Sequence, residues 1–282
     1  MKFAICNELF FSEDREKWTI RRQFEAAAEI GFQGLEIAPF TLSASVQQIT
    51  AAQKAEIVQA ARDTKLAVAG LHWLLVGPTG LHGTDPDPEV RARTRAYLED
   101  LVRFGVEIGG TMMVVGSPAQ RAIKEGVTYE QAWEWFKEAM TACGEVGQEA
   151  DFKVCIEPLA RVTGNNFLFR AEEVRRLAQE INLPNVGVIL DTYSGSREED
   201  DLPQAIRETR DYLYHYHCND HNGLAPGYGE IDFVPIMRAL LDINYDRYCS
   251  IEVFDFSVPA VEQAKRGLAT LKEALEKTKG EL

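Results

Sequence analysis

Cysteine is scarce and scattered. The five thiols (Cys6, Cys143, Cys155, Cys218 and Cys249) stand singly, odd in number and without a CxxC pair. That spacing argues against a disulfide framework and a thiolate zinc cluster, and it fits reduced thiols in a cytoplasmic protein. No apolar run approaches the roughly 20 residues that span a bilayer. The opening MKFAICNELFFSEDREKW follows a short apolar run with Glu8, Glu13 and Asp14, too soon for a secretory signal, and reads as a first strand. Basic charge is also short. Thirty Lys and Arg against 44 Asp and Glu leave a formal charge of −14, which repels polyanions and makes nucleic acid and anionic membranes poor partners. No linker rich in Gly, Ser or Pro and no low-complexity tract divides the chain, so residues 1–282 read as one domain.

What is present is a recurring unit. Short apolar runs predict strands at Lys2–Cys6, Gly34–Ala38, Ala67–His72, Thr111–Val115, Lys153–Glu157, Val186–Asp191, Tyr212–His217 and Tyr248–Val253. They are continuously apolar rather than alternating, as strands buried on both faces are. Helix-length segments separate them. Thr50-Ala-Ala-Gln53 and Thr128-Tyr-Glu-Gln131 each have the form of a capping box that opens a helix. A doubly wound sheet also alternates strand and helix, but eight units in this length fit an α/β fold closed as a (β/α)8 TIM barrel better. Long polar connections at Leu74–Pro88 and Gly116–Val127 suggest loops that cover a substrate. The last helix, near Pro259–Lys277, carries a charge-laced face that needs no partner, and self-association is left open.

In such a barrel the chemistry lies where strands end. The fifth ends in Glu157, the sixth in Asp191, the seventh in His217 and the eighth near Glu252. Four consecutive apolar strands thus bring a metal-type ligand to one rim. Buried carboxylates without a counter-charge protonate, so three that converge call for a cation. Three oxygen donors with one imidazole and no thiolate suit Mn2+ first, with Mg2+, Co2+ or Zn2+ as the other candidates. Within YHYHCNDH, His215 and His217 are two apart and both point into the barrel. Only His217 reaches the rim, and His215 reads as a hydrogen-bonded core histidine. His221 falls in the following loop, and Asp220 is placed to orient a ligand or that loop. Each ligand has a plainer reading alone: Glu157 as a loop carboxylate, Asp191 as a helix cap, Glu252 as a surface partner of Arg247 or Lys265. The shared register favours the metal site.

The same residues resemble a known family, the xylose-isomerase-like TIM barrels, which include ketose 3-epimerases and hydroxypyruvate isomerase. The matching pieces are GLEIAP, IEPL, LDTY, HYHCND with PGYGEIDF, and SIEVF, spread over nearly the whole chain. The resemblance implies that Glu157, Asp191, His217 and Glu252 hold the metal. It also implies that Glu157 and Glu252 act as the acid/base pair of a sugar isomerase or epimerase working through a cis-enediolate. The substrate would be a small sugar or sugar acid. The chain departs from ketose 3-epimerases where they grip substrate oxygens. Ser194 stands in place of a histidine, Ala160–Asn166 lacks a glutamate, and Gly223 replaces an arginine.

Other pocket candidates are Glu36, His72, Trp73 as a sugar-stacking platform, and Arg161. The turn Gly223–Gly229 has glycines but no basic residue, which favours a non-phosphorylated sugar. Three other readings share the scaffold. One is a dehydratase acting on a keto-sugar or inosose. Another is an apurinic-site endonuclease, disfavoured because Gly116 and Ser194 stand where that group has histidines. The last is an inactive sugar-binding barrel.

Overall fold

Each expected run forms a strand, with ends at most two residues from those anticipated: β1 (Lys2–Cys6), β2 (Gly34–Ile37), β3 (Ala67–Leu71), β4 (Met112–Val115), β5 (Lys153–Ile156), β6 (Val186–Asp191), β7 (Leu213–Cys218) and β8 (Tyr248–Ile251). All pairings are parallel, and β8 returns to β1 to close an eight-stranded barrel. The structure is a computed structural model and describes residues 1–12 and 18–280. Glu13 and Asp14 lie outside the described residues.

Around the barrel run α1 (Glu8–Ser12), α2 (Ile20–Ile30), α3 (Ala51–Thr64), α4 (Pro88–Glu107), α5 (Tyr129–Gly147), α6 (Ala171–Ile181), α7 (Thr192–Glu198), α8 (Leu202–Glu208), α9 (Phe233–Asp242) and α10 (Ala260–Gly280). Both expected capping boxes form. The Thr50 and Thr128 side chains accept from the backbone N–H of Gln53 and Gln131 at 3.2 Å, and each glutamine reaches back to the capping residue. Such a cap contributes about 1 kcal/mol. No described helix is long and apolar enough to cross a membrane.

The main core fills the layer between strands and helices. A separate small cluster of Met112, Val114, Cys155 and Ile189 occupies inward positions of β4, β5 and β6. The same period of two, continued towards the strand ends, turns Glu157, Asp191, His215 and His217 inward. Register shifts at Leu35/Glu36 and Val188/Ile189 interrupt the ladders at Glu36 and two residues before Asp191. Irregularities of this kind re-aim side chains near functional sites.

Candidate active site

β7 supplies the centre of the site. His217 is fully buried, with Nε2 3.0 Å from Glu36 Oε1 and Nδ1 3.1 Å from Glu252 Oε2. The other Glu36 oxygen lies 2.8 Å from His215 Nε2. Glu36 therefore bridges the two imidazoles, and His215 is the hydrogen-bonded core histidine expected from its register. This arrangement fixes the His217 ring and leaves Nδ1 facing the carboxylates. A metal-binding histidine is oriented in the same way when a carboxylate takes its other N–H.

Donor atoms of Glu157, His217 and Glu252 lie within 4.8 Å of one another. Asp191 approaches from β6, where it pairs in register with His217. Its Oδ1 accepts from the Ser194 backbone N–H at 2.6 Å, so it also caps α7, while its Oδ2 is buried without a hydrogen-bond partner. The cap reading and the ligand reading are thus satisfied by different oxygens of one carboxylate. Glu157 Oε2 lies against Gly116, whose missing side chain makes room for it.

The charges are unbalanced. Burial, then the charges of Glu252 and Asp191, pushes the Glu157 carboxyl well above the usual carboxylate range. Burial and Glu252 raise Asp191 to about 6. Glu252 goes the other way: burial opposes its ionisation, but the adjoining His217 outweighs it and holds the carboxyl low. Burial likewise opposes charging of His217, and Glu252 and Glu36 overcome it. Three carboxylates and one imidazole, with a buried oxygen free, fit a hard divalent cation.

The remaining candidates separate. Trp73 lines the cleft with its backbone in the left-handed region (φ 49°). Its indole N–H donates to Glu252 Oε1 at 2.7 Å, and its ring lies near-parallel to those of Phe40 and Phe254, with centroids 5.9 Å and 6.3 Å away. The indole's defined polar contact is with Glu252. His72 is fully buried, with Nε2 2.6 Å from Glu8 Oε2 and Nδ1 without a hydrogen-bond partner. Ser194 lines the cleft. Arg161 does not, because it pairs with Glu198 and packs on the Phe169 ring. Asp220 accepts backbone N–H groups from His221, Gly227, Gly229 and Ile231 and so orders the loop after β7. Its polar contacts are those of a loop organiser rather than a sugar ligand.

Sequence reasoning passed over Glu8, the next inward residue after Ala4 and Cys6, although the alternation of β1 marked it. It also passed over Arg121, which no local pattern betrays. This buried guanidinium donates to the main-chain carbonyls of Glu157 (2.6 Å) and Val115 (3.4 Å) and ties the ends of β4 and β5 together.

Beside the carboxylates opens a cleft of about 600 Å3, lined by both glutamates, Trp73, Ser194, Tyr193 and Phe254 among others.

Comparison with known proteins agrees with the eight-stranded barrel. A D-psicose 3-epimerase from Ruminiclostridium cellulolyticum is 26% identical over 257 residues, 87% of this chain and 83% of its own. A 3-dehydro-D-guloside 4-epimerase from Escherichia coli is 26% identical over 272 residues, 89% of this chain and 92% of its own. Among solved structures, a D-psicose 3-epimerase with D-tagatose from Clostridium cellulolyticum superposes with a TM-score of 0.83 at 24% identity, covering 98% of this chain and 99% of that one. A 3-keto-D-glucoside 4-epimerase from E. coli gives 0.80 at 26% identity, covering 97% and 99%. With sugar epimerases matching along most of its length, the chain is an enzyme of the isomerase class. The family model for xylose isomerase-like TIM barrels matches residues 24–274, and the chain belongs to that family.

Proposed function

We propose that this enzyme epimerises a keto-sugar at the carbon beside its carbonyl, with a divalent metal, Mn2+ foremost, held by Glu157, Asp191, His217 and Glu252. The observation that carries the proposal is the placement of the two glutamates. They reach one cleft from β5 and β8, with carboxylate oxygens within 4.8 Å of each other and of a His217 nitrogen. Two carboxyl groups on different strands that face one bound carbon serve as acid and base.

When bound, the ion supplies polarisation of the carbonyl and stabilises negative charge on its oxygen. Glu252, kept ionised by His217, takes the proton from the adjacent carbon, and the C–H electron pair becomes the C=C of a cis-enediolate. Glu157, facing the cleft from β5, passes a solvent-derived proton to the same carbon to give the epimer, or to the former carbonyl carbon to give the aldose–ketose isomer. The reverse reaction exchanges their roles. Trp73 fixes Glu252 by donating its indole N–H to Oε1. Among the described residues no Lys or Arg lines the cleft, which favours an uncharged sugar over a phosphorylated one. The five cysteines are buried and unpaired, and the cytoplasm is the proposed compartment.

The test is NMR of a panel of keto-sugars in D2O with Mn2+-loaded protein. The proposal expects deuterium at the carbon beside the carbonyl and an epimer of otherwise unchanged mass. Absence of exchange across the panel contradicts it.

A further inference from the structure

Arg121, in the segment after β4, is 2% exposed and does not line the cleft. Its Nη1 donates to the Glu157 carbonyl at 2.6 Å and to the Val115 carbonyl at 3.4 Å. Nε and Nη2 are buried without a hydrogen-bond partner, and among the described residues no carboxylate pairs with the guanidinium. Burying a cation unpaired is unfavourable, and a neutral amide could tie two carbonyls with a smaller desolvation penalty. Departures of this kind from ordinary packing concentrate at functional sites.

Resting on the epimerase reading, we infer that Arg121 is a positioning residue: from behind the cleft it fixes the end of β5 so that the Glu157 carboxylate stays in the gap left by Gly116. The ladders of β5 to both neighbours end at Ile156. Glu157 stands one residue further, and Pro158 after it has no N–H with which to continue them. The Val115 carbonyl accepts from the Glu157 N–H at 3.3 Å as well as from Arg121. The guanidinium therefore closes a ring through both main-chain groups of Glu157, and the carboxylate extends from a fixed backbone.

The arginine is itself held from two sides. The Gly83 N–H donates to the Gln120 carbonyl at 2.6 Å, and the Thr84 hydroxyl donates to the Arg121 carbonyl at 3.0 Å. On the other side the Asn166 side chain pairs with both main-chain groups of Ile123, at 2.7 Å and 2.9 Å. Segments after β3 and β5 thus clamp the segment after β4. That segment meets Glu157 twice, with Gly116 at the carboxylate and Arg121 at the main chain. Charge acts in the same direction. Burial pulls the guanidinium down to about 10, and Glu157 is the foremost charge opposing this. The cation in turn offsets part of the repulsion that Glu252 and Asp191 exert on Glu157.

The test sets Arg121→Met beside Arg121→Lys. Methionine keeps an unbranched stem and removes the cation and its donors. The expected kcat for solvent-deuterium exchange is lower by on the order of 10–100-fold, as for a reacting group misplaced by about 1 Å. KM should change little, because Arg121 does not line the cleft. The thermal midpoint should stay level or rise, since an apolar chain replaces an unpaired buried charge. A residue that served stability alone would give the reverse, a lower midpoint with kcat intact. Lysine keeps the cation and a donor for the Glu157 carbonyl, though not the fork, and should recover kcat to within about tenfold of the parent. Crystal structures of the parent and the methionine variant read the position directly: the Glu157 carboxylate should leave Gly116 by about 1 Å. A methionine variant with parental kcat, with Glu157 unmoved, or unable to fold overturns the inference, and so does a lysine variant that recovers nothing. A shifted Glu157 in a protein whose parent exchanges no deuterium would sustain the role of Arg121 while removing the epimerase reading.

Discussion

Replacing Gly116 with alanine offers a precise perturbation of the site. A Cβ at that position falls about 0.9 Å inside the 3.0 Å approach that real Cβ atoms respect, measured to Glu157 Oε2, and lies 3.3 Å from its Cδ. Gly116 is not among the residues with positive φ, so alanine adopts its backbone without strain, and the whole conflict falls on one carboxylate. Moving that carboxylate by about 1 Å displaces an acid/base group that is also a proposed metal ligand, and misplacements of this size cost on the order of 10²-fold in rate. The expected result is a fall of that order in kcat for solvent-deuterium exchange, with the thermal midpoint nearly unchanged. Gly83→Ala is the control, because its Cβ meets nothing closer than 3.7 Å, and it should retain full activity. Gly116→Ala with a normal midpoint and exchange within threefold of the parent would refute the reasoning.

Trp73→Phe keeps an aromatic ring beside Phe40 and Phe254 but removes the N–H that holds Glu252. A hydrogen bond to a charged group is worth about 1.5–3 kcal/mol, so kcat should fall on the order of 10–100-fold with a smaller change in KM; an unchanged kcat would show that the indole does not position the base. Metal affinity should depend on pH with a definite sign. Glu157 lies well above the usual carboxylate range and Asp191 near 6, and both must lose their protons to bind an ion. Binding should therefore release protons at pH 7 and weaken as pH falls through 6, by up to about tenfold per pH unit for each group that is protonated. Calorimetry in buffers of different ionisation enthalpy measures this, and no proton release at pH 7 would contradict it.

The barrel was legible because its signals are local. Continuous apolar runs, two capping boxes and the steady strand–helix interval need no knowledge of distant contacts. The inward placement of the four proposed ligands could also be anticipated, since alternation along a strand decides which residues face inward and the barrel decides where strands end. What the inward residues do with one another was not legible. Glu36 reads as a pocket candidate, yet it bridges His215 and His217 across 179 and 181 residues of sequence separation. Glu8 similarly meets His72 across 64. Trp73 has the composition of a sugar platform, but its N–H goes to a carboxylate. Arg161 and Asp220 were plausible by charge and position, and each is consumed by a nearer partner. Pairings of this kind depend on ångström distances between strands, and the register shifts at Glu36 and before Asp191 leave no mark in a single sequence.

Everything chemical in this account depends on one ion shared by four side chains. Anomalous diffraction from crystals grown with Mn2+ tests it directly. The account expects one strong peak, about 2.0–2.4 Å from His217 Nδ1 and from carboxylate oxygens of Glu157, Asp191 and Glu252. A peak instead among Cys6, Glu8 and His72, whose donor atoms also lie within 4.8 Å of one another, or no peak at all, would contradict it.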